Sequence, residues 1–577
     1  MHPPRTLRRS TRLLFCLLAA GLQPLAGATL YWTAPGGGAS PTWQEGSPHW
    51  SSDPDRTTSA RWSNAHRDTA IFKSTADPTP VTVTETVSAG ALHFHSGGHT
   101  LSQAPIRLGR TAGAGNITLL HYVFGTGDNT IANKLIVDDP GSVGTNVTYL
   151  FSNSAQGVLT LSGDVSIDYG DHTPAGAKSL HFQTGAAHAT ITINGHLSPG
   201  APDTAASRAS LVFGQGGSSR AHADGLNGTF RINGGCSFAR VAIHGGTVLV
   251  GTDNAFGTAI VSPGHSGSRG KIALLTEGAR TLANPITISG GASSQTYIGG
   301  NTAHDTTFHG HFHLTGFGTT GTARSLGTLG NPNPIFTAVA GGKVNLTGHL
   351  TTTAEIPRGL VKQGAGIVSL NHPGGNTLKG LIAINEGTLL LMNTSGSATG
   401  DASQLAPRSA GVVIDAHARL GGTGIAANLV EAAAATSTLT PGDMTKEGVS
   451  SVGTLHLAGG LVAKRGVTFA FDVRGDAIDQ VDLGAAPLEL NGTVTLDFAA
   501  TSAIRTGIAY RLLTGSGDWS ATSANFVLNT PAGYLPDASY GDGKGYVFDA
   551  SARSLTVRFE SLPDPSTYTF HRETGAF

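Results

Sequence analysis

The reading turns on GLVKQGAGIVSLNHPGGNTLKGLIAINEGTLLLMN, residues Gly359–Asn393. Its apolar residues come in short bursts, Ile367-Val368-Leu370, Leu381-Ile382-Ile384 and Leu389-Leu391, and each burst is closed by Gly, Asn or Pro. Nothing in it has the 3.6-residue period of a helix, so the pattern predicts strand, turn, strand, turn. Strands this short bury too little surface to stand alone. The unit makes physical sense as one coil of a stack in which each coil pairs with its neighbours.

The same rhythm extends outward in both directions. From about Thr111 to Gly400 the chain repeats strand-forming bursts such as VLTLSG, ATITING, VAIHGGTVLV, ITISGG and KVNLTG. Gly246-Thr247-Val248-Leu249 lines up with Gly387-Thr388-Leu389-Leu390 and reads as an echo of the same coil. From Asp401 to about Phe559 a further β segment follows, with VTFAFDV, LELNGTVTLDF and YRLLTGSG. Upstream, residues 29–110 hold Trp32, Trp43, Trp50 and Trp62, four of the five tryptophans. An open stack has an end that must be shielded from pairing with another chain, and large aromatics folded over it predict a cap. A carbohydrate platform built from the same rings is the alternative.

Lys362, Gly364, Gly366, Leu370, Asn376, Gly380, Ile384, Gly387, Thr388 and Leu389 stand at the spacing of the autotransporter-associated β-strand repeat, which this segment resembles. Ile367 and Val368 replace the usual Thr-Leu, and Leu378 the usual aromatic; the substitutes are apolar and keep the strand pattern. The resemblance implies a passenger-like, exported repeat protein. Together with the strand rhythm it leads to an all-β expectation: a right-handed parallel β-helix, or solenoid, with a Trp-rich N-terminal cap. The expected organisation is a signal peptide at 1–28, cap and first coils at 29–110, solenoid at 111–400 including the repeat at 359–393, a C-terminal β segment at 401–559, and a tail at 560–577.

Residues 1–28 read as an export signal. Arg5, Arg8, Arg9 and Arg12 precede the apolar run Leu13 to Leu25, and Ala26-Gly27-Ala28 offers a small-residue cleavage site. The run is too short to span a bilayer, so no transmembrane segment is expected in the mature chain. The tail contains Pro563-Asp564-Pro565-Ser566-Thr567-Tyr568, which is similar to the opening of the PEP-CTERM sorting signal. It continues as TFHRETGAF where that signal has an apolar helix and a basic end, a degenerate form. The sixty residues or so after Gly517 are fewer than a membrane barrel of 8 strands at ~10 residues each requires, so none is expected.

Composition bounds the function. Glycine supplies 81 of 577 residues and charged residues 13%, with 39% hydrophobic and a formal net charge of -1, enough apolar material for a core. The balance gives no basic footprint for nucleic acid or anionic membrane. Cys236 is the one thiol beyond the signal, has no flanking charge to activate it, and reads as a buried filler.

Several groups invite chemistry. Ser262–Ser268, SPGHSGS, fails the Gly-x-Ser-x-Gly pattern and reads as a turn. His309, His311 and His313 alternate, as do His93 and His95, so each set is expected to share a strand face; a metal needs three or four convergent ligands, and solvent-facing imidazoles are the simpler reading. Asp479 and Asp482, three apart, are expected on opposite faces, and Asp138-Asp139 before Pro140 read as a turn. Asp476 belongs to the same scattered set, and DAIDQVD does not fit a calcium loop. No residue is therefore singled out as catalytic, cofactor-binding or metal-binding, and no cofactor is expected. The expected function is extracellular or cell-surface display with a structural or adhesive role and no catalysis. A surface glycan or another cell-surface protein is the expected partner. The alternative is a polysaccharide-binding or polysaccharide-cleaving β-helix enzyme, a lyase or glycoside hydrolase.

Overall fold

A computed structural model describes residues 27–33, 41–73, 80–109, 119–138, 147–154, 156–170, 177–200, 209–214, 228–264, 269–290, 293–316, 333–353, 358–401, 410–520 and 526–562. The expected signal peptide through residue 26, Asp139, Pro140, residues 265–268 and the expected sorting-like tail from residue 563 lie outside them. Every named element is a β-strand. Backbone contacts group the chain into two compact units, Met1–Leu180 with Ser198–Arg208, and His181–Leu197 with Ala209–Phe577. Each is a parallel β-solenoid.

In the first unit a coil has three sides. Ala91–Phe94, Thr100–Gln103 and Ile106–Leu108 form one coil, and Leu119–Gly125, Asn129–Ile131 and Leu135–Asp138 the next. Each strand pairs in parallel with its counterpart one coil on, for example Leu101 with Ile131 and Ile106 with Leu135. Side chains close the turns between coils. The Asn133 amide donates to the Ala104 carbonyl at 2.6 Å, and the Val158 N–H to Asp128 Oδ1 at 2.7 Å, across 29 and 30 residues respectively.

The N-terminal end of this unit departs from the parallel rule: Thr29–Trp32 pairs antiparallel with Trp50–Ser51. Trp32, Trp43, Trp50 and Trp62 are all at most 3% exposed. Their rings meet one another at 4.7 to 5.2 Å between centroids, and Phe72 carries the cluster inward to Phe94. Rings this enclosed offer no flat face to a sugar, so they are cap and core, and the platform reading fails on burial.

In the second unit the opening stretch folds as expected. Leu360–Gln363 and Ile382–Ile384 belong to one sheet, and Ile367–Leu370 and Gly387–Leu391 to another. Val344, Val368 and Leu389 stack in register, as do Leu346, Leu370 and Leu391, and all six are buried. Such burial is worth about 1.5–3 kcal/mol per large aliphatic side chain, which is how very short strands become stable. The turn glycines are needed for space as well as conformation. Gly387 has φ 66°, and a Cβ there would lie 2.5 Å from the Gly364 and Gly366 carbonyl oxygens.

The echo at Gly246 is corrected by the register. Gly246–Val250 lies in the sheet that holds Leu360–Gln363, whereas Gly387–Leu391 lies in the other. Gly-Thr before an apolar run marks the start of a strand, because glycine opens the turn, and says nothing about which side of the coil the strand occupies. Near the C-terminal end the parallel order again gives way: Ser554–Val557 pairs antiparallel with both Tyr510–Thr514 and Tyr546–Asp549. A reversed hairpin there uses up an edge that would otherwise be free to template another chain.

Candidate functional surface

The carboxylates were the first candidates for chemistry. Asp479 is fully buried, accepting from the Gly453 N–H at 2.7 Å and the Asp472 N–H at 2.8 Å, and burial pushes its carboxyl up to about 8. Asp482 faces outward, where its carboxylate meets His456 Nδ1 at 3.1 Å and accepts from Thr514 Oγ1 at 3.0 Å. The two therefore point to opposite faces and form no acid–base pair. Asp476 is exposed and pairs with Arg505 at 3.2 Å.

Asp138 ends the strand Leu135–Asp138 and sits in register with Asp168 on the next coil. Two carboxylates on adjacent rungs are the arrangement a glycan-cleaving β-helix would need, and the sequence reading missed it because Asp168 lies one coil further along. Their partners decide their role. Arg107 Nη2 donates to Asp138 Oδ1 at 2.6 Å and to Asp168 Oδ2 at 2.5 Å, and Arg67 Nη2 reaches Asp138 Oδ2 at 2.9 Å. The Gly170 N–H, and after it Arg107, holds the Asp168 carboxyl below its ordinary value. A general acid must keep its proton near neutral pH, which calls for the opposite shift. The cluster is an ionic clamp between coils. A Cβ at Gly109 would meet Arg67 Nη1, so the glycine makes room for that clamp.

The histidines divide differently from the expected single face. His309 follows the strand Asp305–Phe308 and contacts Thr347 Oγ1 at 2.7 Å. Across the corner at Gly310, His311 and His313 share a face, and both contact Thr351 Oγ1, at 3.2 and 3.1 Å. Two imidazoles that sequence spacing did not connect join them. His349 lies 5.4 Å from His311 between ring centroids, and His372 stacks on His349 at 4.7 Å with the rings 15° from parallel. Burial lowers the His349 pKa, and the neighbouring His372 and His311 lower it further. His93 and His95 stack at 6.3 Å. Among the described residues no group of three or more His, Cys, Asp or Glu side chains is placed to hold a metal.

Among the described residues Lys178, Arg358 and Lys362 are buried cations, and Cys236 is a buried thiol. Lys362, a residue of the repeat motif, is fully buried in the row between Phe336 and Ile384. Its ammonium donates to the carbonyls of Gly364 at 2.6 Å, Glu386 at 2.7 Å and Gln363 at 3.3 Å, tying the turns of two successive coils. Burial pulls its pKa down to about 7, and Glu386 opposes the shift. Arg358 is buried, with no hydrogen-bond partner for its guanidinium among the described residues. Cys236 is buried, and burial pushes its thiol up to about 11, the state of an unreactive filler.

The geometry thus defines the class: a parallel β-solenoid whose ion clamps and turn ties hold coil to coil. No helix among the described residues is long and apolar enough to cross a membrane. No protein-family signature matches the chain. Over 193 residues, 32% of this chain, the sequence is 30% identical to the Adhesin BmaC autotransporter of Brucella suis biovar 1 (strain 1330). The match spans 5% of that protein's length. This is similarity to a small part of an adhesin autotransporter, in keeping with a passenger-like chain.

Proposed function

We propose that the chain is an exported, surface-displayed β-solenoid with an adhesive or structural role and no catalysis. The export step falls to residues 1–28 and the end cap to the first part of 29–110. The coils of 111–400 supply the display surface, and 401–559 closes it. The observation that carries the reading is the use of polar side chains in the coils. Arg67, Arg107, Asp138 and Asp168 neutralise one another, and Lys362 is spent on turn carbonyls. Similarity to an adhesin autotransporter supports the adhesive half. A glycan or a protein on another cell surface is the partner we assign.

The test uses the mature chain immobilised on beads. It is expected to retain cells or surface glycans and to release no new reducing or unsaturated ends from a panel of plant, algal and bacterial polysaccharides. Turnover that disappears in Asp138→Asn or Asp168→Asn would overturn the non-enzymatic reading and install the lyase or hydrolase in its place.

A further inference from the structure

The second unit brings His311, His313, His349 and His372 together from neighbouring coils, with His309 beyond the corner at Gly310, although the five span 64 positions of sequence by number alone. Their contacts are with one another and with neutral acceptors: Thr347, Thr351 and the Gly375 carbonyl, which His372 Nδ1 meets at 2.6 Å. No carboxylate among the described residues bonds to any of the five, unlike His456, which has Asp482. All five are partly or fully exposed. Neutral imidazoles can stack as His349 and His372 do. Once protonated they repel, and a polyanion laid across the coils is the group that relieves that repulsion.

We propose that this patch is a binding strip for acidic polysaccharide, engaged when the surroundings turn mildly acid. The carboxylates of a polyuronate would supply the counter-charge that lets His311, His349 and His372 take up protons together, against the burial and neighbouring imidazoles that lower the His349 pKa in the free chain, with Thr351 orienting His311 and His313. The strip rests on the display reading above, because only an exposed surface meets such polymers. It deepens that reading by naming the ligand class. Histidine is the side chain whose ordinary pKa places its charge change in this range. Charge-assisted bonds from imidazolium to carboxylate are also stronger than the neutral contacts they replace.

Acidification charges histidines all over a chain that has 23 of them, so the test must separate the strip from general charge. Binding of the mature chain to polygalacturonate, with neutral dextran as the reference, is measured at about pH 5 and about pH 7.5, on either side of the imidazole range. The variant His349→Gln/His372→Gln is compared with His188→Gln/His304→Gln, which removes two exposed imidazoles elsewhere. The proposal expects wild type to bind polygalacturonate at least about tenfold tighter at the lower pH, a gain largely lost in the strip variant and kept in the other. Equal loss in both variants, a gain that survives the strip variant, binding that ignores pH, or equal binding to dextran would each overturn it. Circular dichroism of both variants at the two pH values shows that fold is retained; if the strip variant unfolds, single His349→Gln and His372→Gln chains carry the comparison. Cell retention by the His349→Gln/His372→Gln variant reports on the display reading separately, since that reading does not depend on these two rings.

Discussion

Lys362 shows how a residue can be legible as part of a motif while its place in the fold is not. A lysine in a strand is ordinarily a solvated side chain. Here the register sets it between Phe336 and Ile384, and only the turn carbonyls within reach of its four-carbon stem make burial tolerable. Its ordinary pKa of 10.5 falls to about 7 in the folded chain, because burial outweighs the help from Glu386. Between those values the unfolded chain holds more protons than the folded one, so the Lys362 contribution to stability rises with pH from about 7 to 10.5 and is flat outside that window. Each pKa unit is worth about 1.4 kcal/mol, which makes the full swing on the order of 4–5 kcal/mol. Denaturant titrations of wild type and Lys362→Met across that range are expected to differ in slope, with the pH-dependent rise missing from the variant. Parallel curves would show that the ammonium is solvated. The histidine patch and the Arg107 clamp were illegible for a related reason: residues that meet there are a coil apart, and coil length varies too much for spacing alone to align them.

At the scale of elements, strands and turns were legible because glycine and short apolar bursts carry them directly. DTAIF became the strand Thr69–Phe72 and VTFAFDV most of Thr468–Gly475. The side of the coil was not legible, as Gly246–Val250 shows. One cause is that both faces of some strands are apolar. Ile335, Val361, Ala383 and Val413 form an in-register row, all buried, on the face opposite Phe336, Lys362 and Ile384. With apolar residues on both faces, the alternation that would report which face is inward is lost. The tryptophan cap was legible as an element, and its packing fixes a prediction. Trp50 touches Trp32, Trp43, Trp62 and Phe72, so Trp50→Ala opens a cavity that the rigid rings around it cannot fill. The expected loss is about 3–5 kcal/mol of stability, read by thermal or denaturant unfolding. Glycan affinity measured below the transition should be unchanged; a loss of affinity with stability intact would return the rings to the role of a sugar platform.

The whole molecule is organised by repetition: each coil presents the next with the same backbone groups, and interactions between adjacent rungs do most of the stabilising. That organisation also explains why chemistry is hard to find in it. Charges that align on neighbouring rungs meet partners on the next one, as Asp138 and Asp168 meet Arg107. The fold stands on the parallel, in-register stacking of coils, and disulfide mapping in a Cys236→Ala background tests that stacking most directly. Glu431, Val462 and Glu489 occupy three successive rungs of one row, none of them fully exposed at the first two and outward at the third. Paired Cα atoms must approach within about 4.4–6.8 Å for a disulfide to close, which adjacent strands satisfy and next-nearest strands do not. Mild oxidation is expected to bridge Glu431→Cys with Val462→Cys, and Val462→Cys with Glu489→Cys, and to leave Glu431→Cys with Glu489→Cys as free thiols. Bridging of Glu431→Cys with Glu489→Cys while the adjacent pairs stay reduced would contradict the stack.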